Sequence, residues 1–222
     1  MPGALRVVAL DGPAGSGKST VARAVADRLG FDYLDTGAMY RAVAFEAIRR
    51  GVDPHDAARV GEIARQMDLE VSDRVVVNGA DATIEIRGPE VTRAVSAVAS
   101  HPEVRSEMVL RQREWADGRT GVVMEGRDIA TVVFPSAEVK VFLTASETAR
   151  AERRSKEMLD RDYNEVAADM VRRDRADSTR AASPLAAAPD AVVIDTTALT
   201  SDKVVGKVLE IAEAAWGALG EA

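Results

Sequence analysis

The sequence predicts an α/β fold of three layers, with a mostly parallel central sheet between helices. Three observations carry this. Short apolar runs at Leu5–Leu10 (broken only by Arg6), Val122–Met124, Val139–Leu143 and Ala191–Ile194 read as strands buried on both faces. Segments with helical apolar spacing alternate with them along the chain. A glycine-rich turn, Gly12 to Ser19, joins the first strand to the first helix, which is how an α/β unit opens.

Each element has its own signal. Val21, Ala24, Val25 and Leu29 recur at helical spacing from Lys18, and Gly30 marks the stop. Tyr33 and Leu34 form a short strand, followed by a helix over Ala38–Arg50 with Gly51 at its C-cap. Beyond Pro54, Asp56–Met67 is amphipathic. Val71, Val75, Val76 and Val77 then lead to Asn78-Gly79, and Thr83–Ile86 follows, closed by Gly88-Pro89. An Asn-Gly pair between β-rich runs predicts a hairpin, a small antiparallel excursion within an α/β chain. Helices are predicted from Pro89 to Val98, from Pro102 to about Trp115, and from a cap at Thr144 or Ser146 continuously to about Arg175. The last helix covers Asp202–Leu219.

Composition narrows the function. The chain has 222 residues, 46% hydrophobic and 29% charged, which is ordinary globular composition. With 29 basic and 36 acidic residues the net charge is −7, so bulk attraction to nucleic acid or an anionic membrane is not expected. There is no Cys, which excludes disulfides, a thiol nucleophile and a cysteine zinc site. Only two His occur, His55 and His101, and His101 before Pro102 reads as a helix-start residue. No targeting segment or membrane span is seen, which points to a cytoplasmic protein.

The strongest chemical signal is Gly12-Pro13-Ala14-Gly15-Ser16-Gly17-Lys18-Ser19, which matches G-x-x-x-x-G-K-[ST] between a strand and a helix. Such a loop wraps its N–H groups round a phosphate, and the helix N-terminus behind it adds a favourable field. Lys18 reaches the β/γ-phosphates and Ser19 holds Mg²⁺. The motif alone does not choose among kinases, switches and ATP-driven machines, but the chain lacks an Asn-Lys-x-Asp guanine reader.

A kinase needs a second anion site, and the sequence offers candidates. In Asp35-Thr36-Gly37-Ala38-Met39-Tyr40-Arg41, a hydroxyl and first-turn N–H groups meet an arginine one turn on. A solvated arginine and an ordinary N-cap fit the same residues. Glu125-Gly126-Arg127-Asp128 closes a buried strand, where open α/β sheets bind ligands. Arg153, Arg154, Arg172, Arg173, Arg175 and Arg180 are dense in an acidic chain, though interleaved Asp169, Asp174 and Asp177 also suit a salt-bridged surface.

Together these stretches resemble the bacterial cytidylate kinase family, the (d)CMP kinases. The likeness runs from Val7 to about Leu209 and is most specific at Asp35-Thr36-Gly37, at Gly126-Arg127-Asp128-Ile129-Ala130-Thr131-Val132-Val133-Phe134-Pro135 and at Asp195-Thr196-Thr197. The resemblance implies a P-loop kinase fold with a core over 1–66, 88–154 and 176–222, a β-rich acceptor-binding insert near 67–87, and a short helical lid near 155–175. It implies transfer of the ATP γ-phosphoryl to CMP or dCMP with Mg²⁺. A monomer is expected because the charged helices leave no obvious seam, and the acidic net charge speaks against nucleic-acid or membrane partners.

The resemblance also assigns roles. Lys18, Arg127 and Arg173 would neutralise charge on the transferring group. Gly12 to Thr20, with Arg153 and Arg154, would hold the donor nucleotide. Thr36, Arg41 and Arg127 would hold the acceptor phosphate, in a segment that includes Tyr40. Ser96, Arg105 and Asp128 would read cytosine, Asp128 accepting from its exocyclic amine. Asp177 and Arg180 would hold the ribose. Ser19 would bind the metal. Asp35 either orients the metal through water or anchors the Thr36 turn. A kinase for UMP, dTMP or another metabolite, and an ATP-dependent switch, stay open as alternatives.

Overall fold

The computed structural model describes residues 5–157, 162–180 and 182–217. In chain order the elements are β1 (Arg6–Asp11), α1 (Lys18–Leu29), β2 (Asp32–Asp35), α2 (Thr36–Arg49), α3 (Ala57–Gln66), β3 (Leu69–Val71), β4 (Val75–Val77), β5 (Ala80–Asp81), α4 (Pro89–Val98), α5 (Pro102–Ala116), β6 (Gly121–Gly126), β7 (Val139–Thr144), α6 (Glu147–Glu157), α7 (Tyr163–Thr179), β8 (Val192–Asp195) and α8 (Ser201–Trp216). The chain divides into two compact units, one of Met1–Tyr33, Gly118–Thr179 and Ser183–Ala222, the other of Leu34–Asp117 and Arg180–Ala182.

The first unit is built on a five-stranded sheet in the order β2-β6-β1-β7-β8. The β1–β6, β1–β7 and β7–β8 pairs are parallel, with Asp11 in register with Gly126 and with Phe142. This parallel sheet bears out the α/β reading. Its central strands are Val-rich and fully buried, as strands covered on both faces must be. Val21, Ala22, Val25 and Ala26 of α1 and Val204, Val205, Val208 and Ala212 of α8 pack on the strands in one core cluster. Phe31 and Trp216 join that cluster, their ring centroids 5.7 Å apart.

The second unit packs α2 against α3, α4 and a small three-stranded antiparallel sheet, β3-β4-β5. Asn78, at φ 49°, and Gly79, at φ 77°, make the β4–β5 turn, so the Asn-Gly signal marks a hairpin as read. Glu46 is fully buried beneath it and accepts hydrogen bonds from Arg49, Arg50 and the Asn78 amide.

Two elements differ from the sequence reading. Thr83–Ile86 is not a strand. The Asp81 carboxylate accepts from the N–H and hydroxyl of Thr83, at 3.0 and 2.6 Å, and the Thr83 hydroxyl accepts the N–H of Val75. These side-chain bonds end the ladder at Asp81, and Glu85–Arg87 coils into one 3₁₀ turn. The helix expected to run continuously to about Arg175 is instead α6 and α7. Asp162 accepts the N–H of Asn164 and starts the second. Residues 158–161, within the expected lid, lie outside the described residues.

Gly121, which starts β6, lies so close to Phe31 that an added Cβ would overlap its ring. Gly121→Ala is expected to push Phe31 off Trp216 and to lower stability by about 1–3 kcal/mol, read from the urea unfolding midpoint.

Candidate active site

The glycine loop leaves β1 at Asp11 and enters α1 at Lys18. Gly12 adopts φ +149°, and a Cβ there would overlap the carbonyl oxygen of Leu143 in β7. Only glycine permits that approach. A Cβ at Gly15 would meet the Arg150 carbonyl oxygen at 2.8 Å and Met170 at 2.9 Å. The loop's carbonyl groups are tied down from outside. Arg150 donates to Ala14 O at 3.2 Å and pairs with Asp174, which joins α6 and α7 to the loop. The Thr196 hydroxyl lies 3.0 Å from Ser16 O. The buried Lys18 ammonium donates to Pro13 O at 2.7 Å, so the loop's own carbonyl holds it over the turn.

Two buried carboxylates stand at the carboxyl ends of β1 and β6. Asp11 accepts the N–H of Ile129 at 2.9 Å and that of Ala130 at 2.8 Å. Burial pushes its carboxyl up to about 6, although both N–H donors pull the other way. Glu125 accepts from the Ser19 hydroxyl at 2.9 Å and, through its other oxygen, from the Tyr33 phenol. The sequence reading gives Glu125 no role of its own. The signal was there: it is the acidic end of a buried strand, directly before Gly126-Arg127-Asp128.

Arg127 donates to Asp177 at 3.0 Å. Burial alone would lower its pKa, but Asp177, Asp174 and Glu125 outweigh burial and the net shift is upward. Arg173 behaves oppositely. Burial, and then the charge of Arg127, push it down to about 10, and its Nε has no hydrogen-bond partner among the described residues. Two half-buried guanidinium groups that repel each other favour an anion. Asp128 is buried next to Arg127, and Arg154 contributes to the field on Arg173. Arg153 donates to the Thr196 hydroxyl and carbonyl, at 2.9 and 2.6 Å. So Gly12 to Thr20, Arg127, Asp128, Arg153, Arg154, Arg173 and Asp177 all belong to the first unit.

The second unit holds Asp35, Thr36, Tyr40, Arg41, Ser96, Arg105 and Arg180. Asp35 caps α2 by accepting the N–H of Ala38 at 3.1 Å and lies 3.4 Å from Arg87. Thr36 is buried at the first turn. Arg41 donates to Ile86 O at 3.1 Å and to the Thr92 hydroxyl at 3.0 Å. Arg105 is buried, donates to Ala99 O, and lies 5.2 Å from the Tyr40 ring centroid. Ser96 is half-buried on α4. His101 contacts Pro54 O, a structural role that suits its exclusion from the site.

A strand–glycine loop–helix cradle at the carboxyl edge of a parallel sheet, with buried arginines beside it, defines a P-loop kinase. The chain belongs to the cytidylate kinase family, whose model matches residues 8–214. It is 51% identical to a cytidylate kinase of Geobacillus kaustophilus (strain HTA426) over 92% of this chain and 95% of that one. It is 50% identical to a cytidylate kinase of Mycolicibacterium paratuberculosis (strain ATCC BAA-968 / K-10) over 92% and 94%. Among solved structures, an unliganded sugar kinase from Janibacter sp. HTCC2649 covers 98% of this chain at 17% identity and a TM-score of 0.50, a likeness of fold alone.

The pKa of Asp11 has a consequence for stability. Its folded value, about 6, lies above its ordinary 3.8, so the folded state holds the proton more tightly. The stabilisation is complete below pH 4 and is lost as pH rises through 6. Relative to Asp11→Asn, the wild type is expected to gain on the order of 3 kcal/mol between pH 7 and pH 4. Paired urea unfolding curves at the two pH values measure this, and a pH-independent difference contradicts it.

Proposed function

We propose that this chain transfers the γ-phosphoryl group of ATP to the 5′-phosphate of CMP or dCMP, giving ADP and CDP or dCDP. Family membership supports the reaction. The structural observation that carries it is the half-buried Arg127, just past the carboxyl end of β6, whose charge bears on the half-buried Arg173 of α7, beside the strand that leads into the Lys18 loop. A phosphate acceptor is deprotonated at neutral pH, so no general base is required, in keeping with His101 being committed to Pro54 O. Catalysis is then positioning and neutralisation of charge. The loop N–H groups and Lys18 bind the donor phosphates, and Arg127 and Arg173 meet the charge that develops on the transferring group.

The donor set suits Mg²⁺, which takes hard oxygen ligands and only one or two carboxylates beside the phosphates. Ser19 and Glu125 provide a hydroxyl and a carboxylate already in contact, and they would hold the ion. Mg²⁺ neutralises and orients the phosphates when bound. Asp35, engaged as the cap of α2, serves the Thr36 turn.

For the acceptor, Thr36, Arg41 and Arg127 hold the phosphate. Ser96, Arg105 and Asp128 read the base, with Tyr40 supporting Arg105 through its ring. Asp177 and Arg180 hold the ribose. Arg153 and Arg154 serve the donor, Arg153 from its seat on Thr196. A carboxylate at Asp128 accepts from the cytosine amine and repels the uracil oxygen. The enzyme works as a cytoplasmic monomer without nucleic-acid or membrane partners. The net charge of −7 supports this, and no helix among the described residues is long and apolar enough to cross a membrane.

ADP release with Mg²⁺-ATP and, in turn, CMP, dCMP, UMP, dTMP and AMP tests the reading. Rapid turnover with CMP and dCMP alone is expected. Equal turnover with UMP overturns the cytosine site, and no acceptor-dependent release overturns the transfer. Lys18→Ala is expected to lower kcat by roughly 10²–10³-fold, and near-normal turnover in that variant contradicts the assignment.

A further inference from the structure

We propose that Asp11 is a positioning residue for the Gly126–Ala130 loop: by accepting the N–H groups of Ile129 and Ala130 it fixes the backbone that carries Arg127 and Asp128. The inference deepens the reading above and rests on it. Asp11 touches neither proposed substrate; it acts through the loop.

The geometry is specific. Residues Ile129–Val133 form a single π-helical turn, and Asp128 stands at its N-cap with φ −148° and ψ 23°. First-turn N–H groups have no partner within a helix and need an acceptor. An aspartate at the N-cap ordinarily supplies it from its own side chain. Asp128 makes no such bond. Asp11 does it instead, one carboxylate oxygen to each N–H, at 2.9 and 2.8 Å. The Asp128 carboxylate is therefore not spent on its own turn. The rest of the turn closes on backbone, Val132 and Val133 N–H to Asp128 O and Phe134 N–H to Ile129 O.

The position of Asp11 adds to this. It is the last residue of β1, in register with Gly126, and the next residue is Gly12. The strand end from which the phosphate loop departs thus also holds, through the Asp11 side chain, the Arg127–Asp128 loop. It is 1% exposed, and burial disfavours its charge. A carboxylate kept there against that cost fits a positional task better than a packing one, which an apolar residue would perform more cheaply.

The test is Asp11→Asn, nearly isosteric, which places an amide donor against one of the two N–H groups. Initial rates with CMP and UMP, the KM for ATP, and CMP binding by calorimetry are compared with wild type and with Val25→Ala. Val25→Ala truncates a buried core residue of α1 and controls for lost stability. Asp11→Asn is expected to raise the KM for CMP about tenfold or more, weaken calorimetric CMP binding to match, and narrow the CMP:UMP preference, while the KM for ATP moves less than threefold. Val25→Ala is expected to lower the melting temperature and leave these ratios alone.

A folded Asp11→Asn with wild-type CMP affinity and CMP:UMP preference overturns the inference. Equal shifts for ATP and CMP overturn it as well. If Asp11→Asn does not fold, Asp11→Ser, smaller and still an acceptor for one N–H, is judged by the same readouts. Wild type that does not phosphorylate CMP would instead defeat the reading on which the inference rests, so the two failures are separable.

Discussion

A peptide can wrap a phosphate chain only when its own side chains and carbonyl groups stay out of the way. That constraint is met at Gly12. Its backbone passes so near Leu143 O that any side chain would collide with β7. In the loop that follows, the carbonyl groups of Pro13, Ala14 and Ser16 accept from Lys18, Arg150 and Thr196. Arg150 in turn holds Asp174 of α7, so the helix that carries Arg173 and Asp177 is anchored to the loop. The mutual position of cradle and arginines follows from this one close approach and its three ties.

Charge is arranged locally against the overall sign. A chain of net charge −7 concentrates buried cations beside the glycine loop and answers them with buried carboxylates at strand ends. Each carboxylate does a different job. Glu125 faces Ser19 and suits a hard cation, whereas Asp11 accepts the backbone N–H groups of Ile129 and Ala130 and suits loop geometry. Asp177 accepts from Arg127 and orients it. Arg173, its pKa pushed down by burial and by the charge of Arg127, would be stabilised by a nearby anion.

The sequence made the parallel sheet legible because its strands are short, Val-rich and separated by helical spacing, and the glycine loop because its fixed positions have no other use. It placed the Asn78-Gly79 hairpin for the same reason. It misread Thr83–Ile86, where β-propensity was high but the Asp81 and Thr83 side chains captured the backbone groups a ladder needs. It singled out the stretches that hold Glu125 and Thr196 without giving either a role, and it gave none to Asp11 or Arg150. Each acts through a partner distant in the chain, such as Ser19 for Glu125 or Ile129 for Asp11, and no local pattern announces a contact across the sheet.

If the glycine loop is to bind the donor phosphates, Gly12 must lack a side chain, and calorimetric binding of ATP and, separately, CMP to folded Gly12→Ala measures that requirement. ATP binding is expected to be lost or weakened by about a hundredfold, with the displaced loop unable to present its N–H groups, while CMP binding changes little. ATP binding within threefold of wild type would contradict it.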